Sequence, residues 1–177
     1  KIDSTNHIAS NLEKSLIKIR QDARARVYSN EDNFFSFYDN TSLNFIPVIN
    51  DKERNVFILT GPQVSGVVLL GNDYKLSYDK KNEFKKKKNH NSILQFPYTS
   101  GDKENPTVST IHSHVITEYI SSTDICTLLL YKNYVEWKQH IVMSKKKVSI
   151  FNLEKESLFT MKRKTWEKIY NIEKDKK

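Results

Sequence analysis

From residue 8 to residue 27 the apolar positions Ile8, Leu12, Leu16, Ile19, Ala23 and Val27 recur at spacings of three and four. That spacing predicts a helix over 5–28 with one apolar face, leaving Arg20, Arg24 and Arg26 mostly toward water. "NEDN" ends the period, and short aromatic and β-branched runs follow: "FFSFYDN", "LNFIPVI", "NVFILTG" and "GVVLLG". Asn, Asp, Gly and Pro separate these runs, which predicts strands. Residues 78–107 carry no period. They are expected to form an irregular, lysine-rich insertion or covering loop, being long for a connection inside a compact domain. "TVSTIHSHV" returns to strand character, and "SSTDICTLLLYKN" predicts a helix capped by Ser121 or Ser122, with Asp124 in its first turn. "EWKQHIVMS" and "KVSIFN" predict a hairpin around "KKK", and residues 153–177 a charged, weakly amphipathic helical tail. This order predicts a mixed α/β (α+β) domain, a single mixed β-sheet packed against helices.

The length, 177 residues and 20.8 kDa, suits one domain spanning 1–177. Nine Tyr, nine Phe and two Trp argue against wholesale disorder, because their burial can offset the entropy of ordering the chain. No apolar stretch approaches the ~20 residues that a membrane helix needs.

The net charge of +8 is concentrated in "KKNEFKKKKNHN" (80–91) and "KRKTWEKIYNIEKDKK" (162–177). Lysine dominates over arginine, so bidentate reading of bases or phosphates is not the evident purpose. Two readings stay open: a solvated surface, and a docking patch for an acidic partner through Lys85, Lys86, Lys87 and Lys88. Cys126 is the sole cysteine, which excludes an intrachain disulfide and leaves the compartment undetermined. The chain opens on Lys1 with no visible signal peptide, and a processed product or an excised domain is expected, cytoplasmic or delivered into a host cytosol.

The candidate chemistry lies in "TIHSHVITEYISSTDICTLLLY" (110–131). On a strand, residues two apart point to one face, so His112 and His114 present both imidazoles to one point while Ser113 faces away. Asp124, in the first turn of the next helix, can fold back to meet them. Two nitrogens and a carboxylate oxygen suit zinc and leave a fourth position for water. Ser121 is placed for its hydroxyl to reach that water or an oxyanion.

"HSHVITEYISSTD" resembles the His-x-His…Ser-x-x-Asp signature of JAB/MPN (JAMM-motif) metalloproteases, which include deubiquitinating isopeptidases. The resemblance covers roughly residues 50–150, together with the first helix. It implies zinc held by His112, His114 and Asp124, Ser121 supporting the water or oxyanion, and an upstream glutamate as general base. By position that base is Glu53, ahead of "NVFILTG", with Glu31, ahead of "FFSFY", as the rival. It also implies cytidine-deaminase-like layering and a protein or peptide substrate, with ubiquitin-like proteins among the candidates. The segment "VITEYI" is one residue shorter than the family's usual spacing, and Val115 stands where the family usually has Pro. JAB-like domains also end bacterial polymorphic toxins and occur in phage proteins. The basic charge and the lack of disulfides would suit such an effector domain.

Two other classes compete. "CTLLLYKNYVEWKQH" distantly resembles the Cys-to-His stretch of cytotoxic necrotizing factor-type glutamine deamidases, which would make Cys126 nucleophile and His140 base. No glycine precedes Cys126, however, and a buried helical cysteine is the expectation. A basic, non-enzymatic binding module for nucleic acid or an acidic protein is the third class. It would show a steep loss of binding with salt and no metal requirement.

Overall fold

The computed structural model describes residues 8–89, 92–98 and 106–174, with the backbone alone over 171–174. In chain order these residues form α1 (Asn11–Ser29), β1 (Thr41–Ile49), β2 (Arg54–Pro62), β3 (Val67–Leu70), β4 (Tyr74–Tyr78) and β5 (Phe84–Asn89). There follow β6 (Leu94–Pro97), β7 (Ser109–Ser113), α2 (Ser122–Tyr131), β8 (Gln139–Met143), β9 (Lys147–Asn152), β10 (Ser157–Lys162) and α3 (Arg163–Lys174). The class is mixed α+β, as the pattern predicts. Among the described residues the strands divide into three sheets instead of one. The chain expected as one domain gathers into two compact units, 1–63 with 72–90, and 64–71 with 91–177. Among the described residues no helix is long and apolar enough to cross a membrane.

The first unit is an antiparallel sheet, β1-β2-β4-β5, carrying α1. Ser10 starts α1 through a capping box: its Oγ accepts from Glu13 N at 3.2 Å, and its own N–H donates to Glu13 Oε2 at 2.7 Å. The helix therefore begins later than predicted, and residues 5–7 of that prediction lie outside the described residues. Ile19, Ala23 and Val27 are buried with Phe45, Val56, Ile58, Tyr74 and Leu76, whereas Ile8 and Leu12 are exposed.

"FFSFYDN" is a loop and not a strand. Its backbone finds side-chain partners instead of a neighbouring strand. Asn30 bonds both the N–H and the C=O of Phe35 at 2.9 Å, and the Tyr74 hydroxyl accepts from Ser36 N at 2.8 Å. Pro47 is tolerated because β1 is an edge strand.

The predicted insertion 78–107 is not irregular where it is described. It supplies β5, which closes the first sheet, and β6, which pairs with β3; residues 90–91 and 99–105 lie outside the described residues.

The second unit holds the β3–β6 pair, the mixed sheet β10-β9-β8-β7 and helices α2 and α3. β7 and β8 run parallel with α2 as the crossover between them, and the β8–β9 hairpin falls where the sequence places it. Val68, Leu70, Ile120, Leu128, Trp137, Val142 and Phe151 form its core. The tail is only partly helical: residues 157–162 form β10 against β9 before α3 begins. The Asn152 side chain accepts from Lys155 N at 2.7 Å, and Glu156 takes a positive φ of 49°, so a turn stands where the apolar spacing predicts helix.

Candidate metal centre

β7 delivers the two histidines. Its alternation leaves Ile111 and Ser113 exposed and turns His112 inward. His114 lies one residue past the strand, still tied to the sheet because its N–H donates to Met143 O at 2.7 Å. α2 delivers the carboxylate through a second capping box. Ser121 Oγ accepts from Asp124 N at 3.0 Å, and Ser121 N–H donates to Asp124 Oδ2 at 3.0 Å. The helix start therefore fixes the side chain it needs.

His112, His114 and Asp124 offer ligand atoms that all lie within 4.8 Å of one another. His112 Nε2 and His114 Nε2 are 2.8 Å apart, and Asp124 Oδ2 lies 3.2 Å from His114 Nε2 and 4.0 Å from His112 Nε2. Ligands held ~2.0–2.1 Å from a tetrahedral zinc stand about 3.3 Å apart, a value these separations straddle. The residues present fit such an ion.

The electrostatics point the same way. His112, His114 and Asp124 are 8%, 3% and 1% exposed, so two ring nitrogens and a carboxylate converge almost out of reach of water. Three lone pairs aimed at one point repel unless a proton or a cation stands between them.

Burial, the dominant cause, pushes the His112 imidazole down to about 4, opposed in part by the Asp124 charge. Burial likewise works to raise the Asp124 carboxyl, yet its contacts with His114 and with Ser121 win and hold it below the ordinary carboxylate value. The centre thus consists of a neutral imidazole and a charged carboxylate, the forms in which these groups bind metal.

Each histidine is oriented from behind. His114 Nδ1 lies 2.9 Å from the Tyr119 carbonyl and 2.8 Å from Thr117 Oγ1. A carbonyl only accepts, so His114 Nδ1 carries hydrogen and its Nε2 faces the centre. His112 Nδ1 lies 2.7 Å from His140 Nε2, and His140 Nδ1 lies 2.7 Å from Thr110 Oγ1. His140 is fully buried, and its pKa is pushed down to about 3, chiefly by that burial.

Sequence reasoning did not find these supporting contacts. His140 is visible there only as a partner for Cys126. Its place beside His112 depends on the parallel register that sets Thr110 opposite His140.

The remaining predicted residues fall elsewhere. Ser121 is the helix cap, its hydroxyl shared between Asp124 N and Thr123 Oγ1 (2.9 Å), which makes it first of all the support of Asp124. Glu53 and Glu31 both belong to the first unit and are exposed. Glu53 lies 3.1 Å from Lys75 Nζ, and its carboxyl is held below its ordinary value by Asn55 and by Lys75. That shift weakens it as a proton acceptor near neutral pH.

Cys126 is half-buried on α2. Both ring nitrogens of His140 are engaged with Thr110 and His112, which leaves neither to take a thiol proton.

The lysine patch lies on β5, an edge strand. Lys85 pairs with Asp79 at 3.8 Å, Lys87 with Asp32 and across the Phe34 ring, and Lys86 and Lys88 are exposed. Charged side chains on an edge oppose strand-to-strand aggregation.

No family model, characterised protein or solved structure matches the chain.

Proposed function

We propose that the second unit is a zinc-dependent hydrolase of amide bonds, acting on a peptide or isopeptide link in a protein substrate. The observation that carries this reading is the convergence of His112 Nε2, His114 Nε2 and Asp124 Oδ2 from a strand and the helix that follows it. Zinc at such a site supplies Lewis acidity toward a carbonyl and acidifies water near neutral pH.

The chain's own groups do the rest. His112 and His114 present their ring Nε2 atoms, Asp124 brings the compensating charge, and the Ser121 N–H holds that carboxylate in place. A glutamate would take the proton from water and return it to the leaving amine; the expected Glu53 and Glu31 lie in the first unit, and Glu53 is weakened as an acceptor by its Asn55 and Lys75 contacts. Glu118, in the loop between His114 and Ser121 and 3.1 Å from Lys146, is a third candidate in the same unit as the ligands.

The near-complete burial of all three ligand residues favours one further reading. A catalytic zinc keeps an open position, whereas an enclosed ion would brace β7 against α2 without turning over substrate.

Metal analysis of protein purified without added metal, followed by assays on fluorogenic peptides and on isopeptide-linked ubiquitin-like proteins, separates the readings. The hydrolase reading expects about one zinc per chain, retained through purification as tight zinc sites are, and cleavage that a chelator stops and zinc restores. Zinc with no cleavage of any of these substrates supports the bracing role. Protein that stays metal-free after zinc is added rules out both.

A further inference from the structure

Behind His112 runs a chain of hydrogen bonds, from His112 Nδ1 to His140 Nε2 and from His140 Nδ1 to Thr110 Oγ1, each 2.7 Å long. Two proton arrangements satisfy it. In the first, the Thr110 hydroxyl donates to His140 Nδ1 and His140 Nε2–H donates to His112 Nδ1. The His112 proton then sits on Nε2, aimed at His114 Nε2 2.8 Å away. In the second, every bond is reversed: His112 Nδ1–H donates to His140 Nε2, His140 Nδ1–H donates to Thr110 Oγ1, and His112 Nε2 is a bare lone pair. A ring nitrogen that carries a proton cannot ligate, so only the second arrangement makes His112 a metal ligand.

His114 needs no such choice, because the Tyr119 carbonyl already claims its Nδ1–H. Phe96 stands edge-on to the His140 ring, centroids 5.7 Å apart and planes at 85°, and hinders a flip that would exchange the two nitrogens.

We propose that His140 and Thr110 are positioning residues for the metal centre: they hold His112 in its Nδ1–H tautomer, and metal loading sets the direction of the whole chain. The inference rests on His112, His114 and Asp124 being metal ligands, and it is independent of amide hydrolysis. A buried imidazole with a partner on each nitrogen is an expensive way to fill space, since an apolar side chain would do so without desolvating polar atoms. Partners of this kind behind metal-binding histidines fix ring orientation and raise ligand basicity.

The test is the zinc dissociation constant of the full chain, measured by competition with a chromophoric chelator, for wild type, His140→Gln, His140→Leu and Thr110→Val. A glutamine can accept from His112 Nδ1–H through its carbonyl and donate toward Thr110 through its amide, which reproduces the loaded arrangement. His140→Gln is expected to stay close to wild type, and His140→Leu to bind about 10–100-fold more weakly. Thr110→Val should fall between them. Nitrogen-15 NMR of the zinc-loaded wild type should find His140 protonated on Nδ1.

Equal affinity in wild type and His140→Leu overturns the proposal, as does a zinc-loaded His140 protonated on Nε2. If His140→Leu does not fold, Thr110→Val and the tautomer measurement still decide. A wild type that binds no zinc removes the metal centre and this inference together. A wild type that binds zinc and cleaves nothing removes only the hydrolase reading and leaves the comparison among variants to stand.

Discussion

Acidifying the metal-free protein should destabilise its second unit well before its carboxylates titrate. His112 and His140 are buried in the neutral form, with pKa values pushed from 6.5 to about 4 and about 3. The unfolded chain takes up these protons first, so stability is fully present above pH ~6.5 and is lost as the pH falls toward the folded values. At 1.36 kcal/mol per pKa unit, moving from pH ~6.5 to pH ~5 removes about 2 kcal/mol for each histidine. The two rings touch and their protonations oppose each other, so the joint loss lies between about 2 and 4 kcal/mol. Asp124 works in the same direction, its carboxyl being depressed, but only below its ordinary value of 3.8 and outside this window.

Urea unfolding of protein treated with a chelator measures the effect. Both tryptophans, Trp137 and Trp166, lie in the second unit, so their fluorescence reports that unit. With an m-value of about 1–3 kcal/mol per molar, the midpoint should drop by about 0.7–4 M between the two pH values. His140→Gln, which removes one of the two titrations, should shrink the drop by up to half. A midpoint that stays flat from pH ~6.5 to pH ~5 would refute the account of His112 and His140 as buried neutral groups.

Other outcomes follow from single contacts. Ser121→Ala should cost about 0.5–2 kcal/mol as a lost helix cap. It should also weaken zinc binding, because Asp124 loses the hydroxyl that holds its backbone, while Ser122→Ala should do neither; urea unfolding and chelator competition read the two effects. Glu53→Gln should keep zinc and, if Glu53 is the base, lower turnover by about 10²–10⁴. A neutral result there with a loss in Glu31→Gln or Glu118→Gln moves the role. Cys126→Ser should leave turnover unchanged, and a dead but zinc-loaded variant would revive the deamidase alternative. In the first unit, Tyr74→Phe strands Ser36 N and the buried Asn72 Oδ1, partners at 2.8 and 2.6 Å. It should cost about 1–3 kcal/mol in thermal unfolding followed by circular dichroism.

The features that sequence alone determined here are the local ones. The spacing of His112 and His114 puts both rings on one face because a strand alternates with period two, whatever it packs against. The Ser121–Asp124 pair builds its capping box within four residues, and Ser10 and Glu13 do the same for α1. The β8–β9 hairpin also closes over a short turn. Covalent geometry and near-neighbour hydrogen bonds suffice for each.

Tertiary structure decided what joins distant segments. "FFSFYDN" has strand composition, yet Asn30 and Tyr74 satisfy its backbone and it stays a loop. "FKKKKN" has no apolar alternation, yet it pairs with β4 as a sheet edge, because backbone hydrogen bonds and the Phe84 contact with Tyr78 are enough there. The resting place of His140 is the sharpest case. Nothing local ties it to His112; the parallel register of β7 and β8, spanning the α2 crossover, sets Thr110 opposite His140 and brings His140 against His112. That register follows from packing Leu128, Val142, Trp137 and Phe151 into one core, a sum over many contacts that no short stretch of the chain contains.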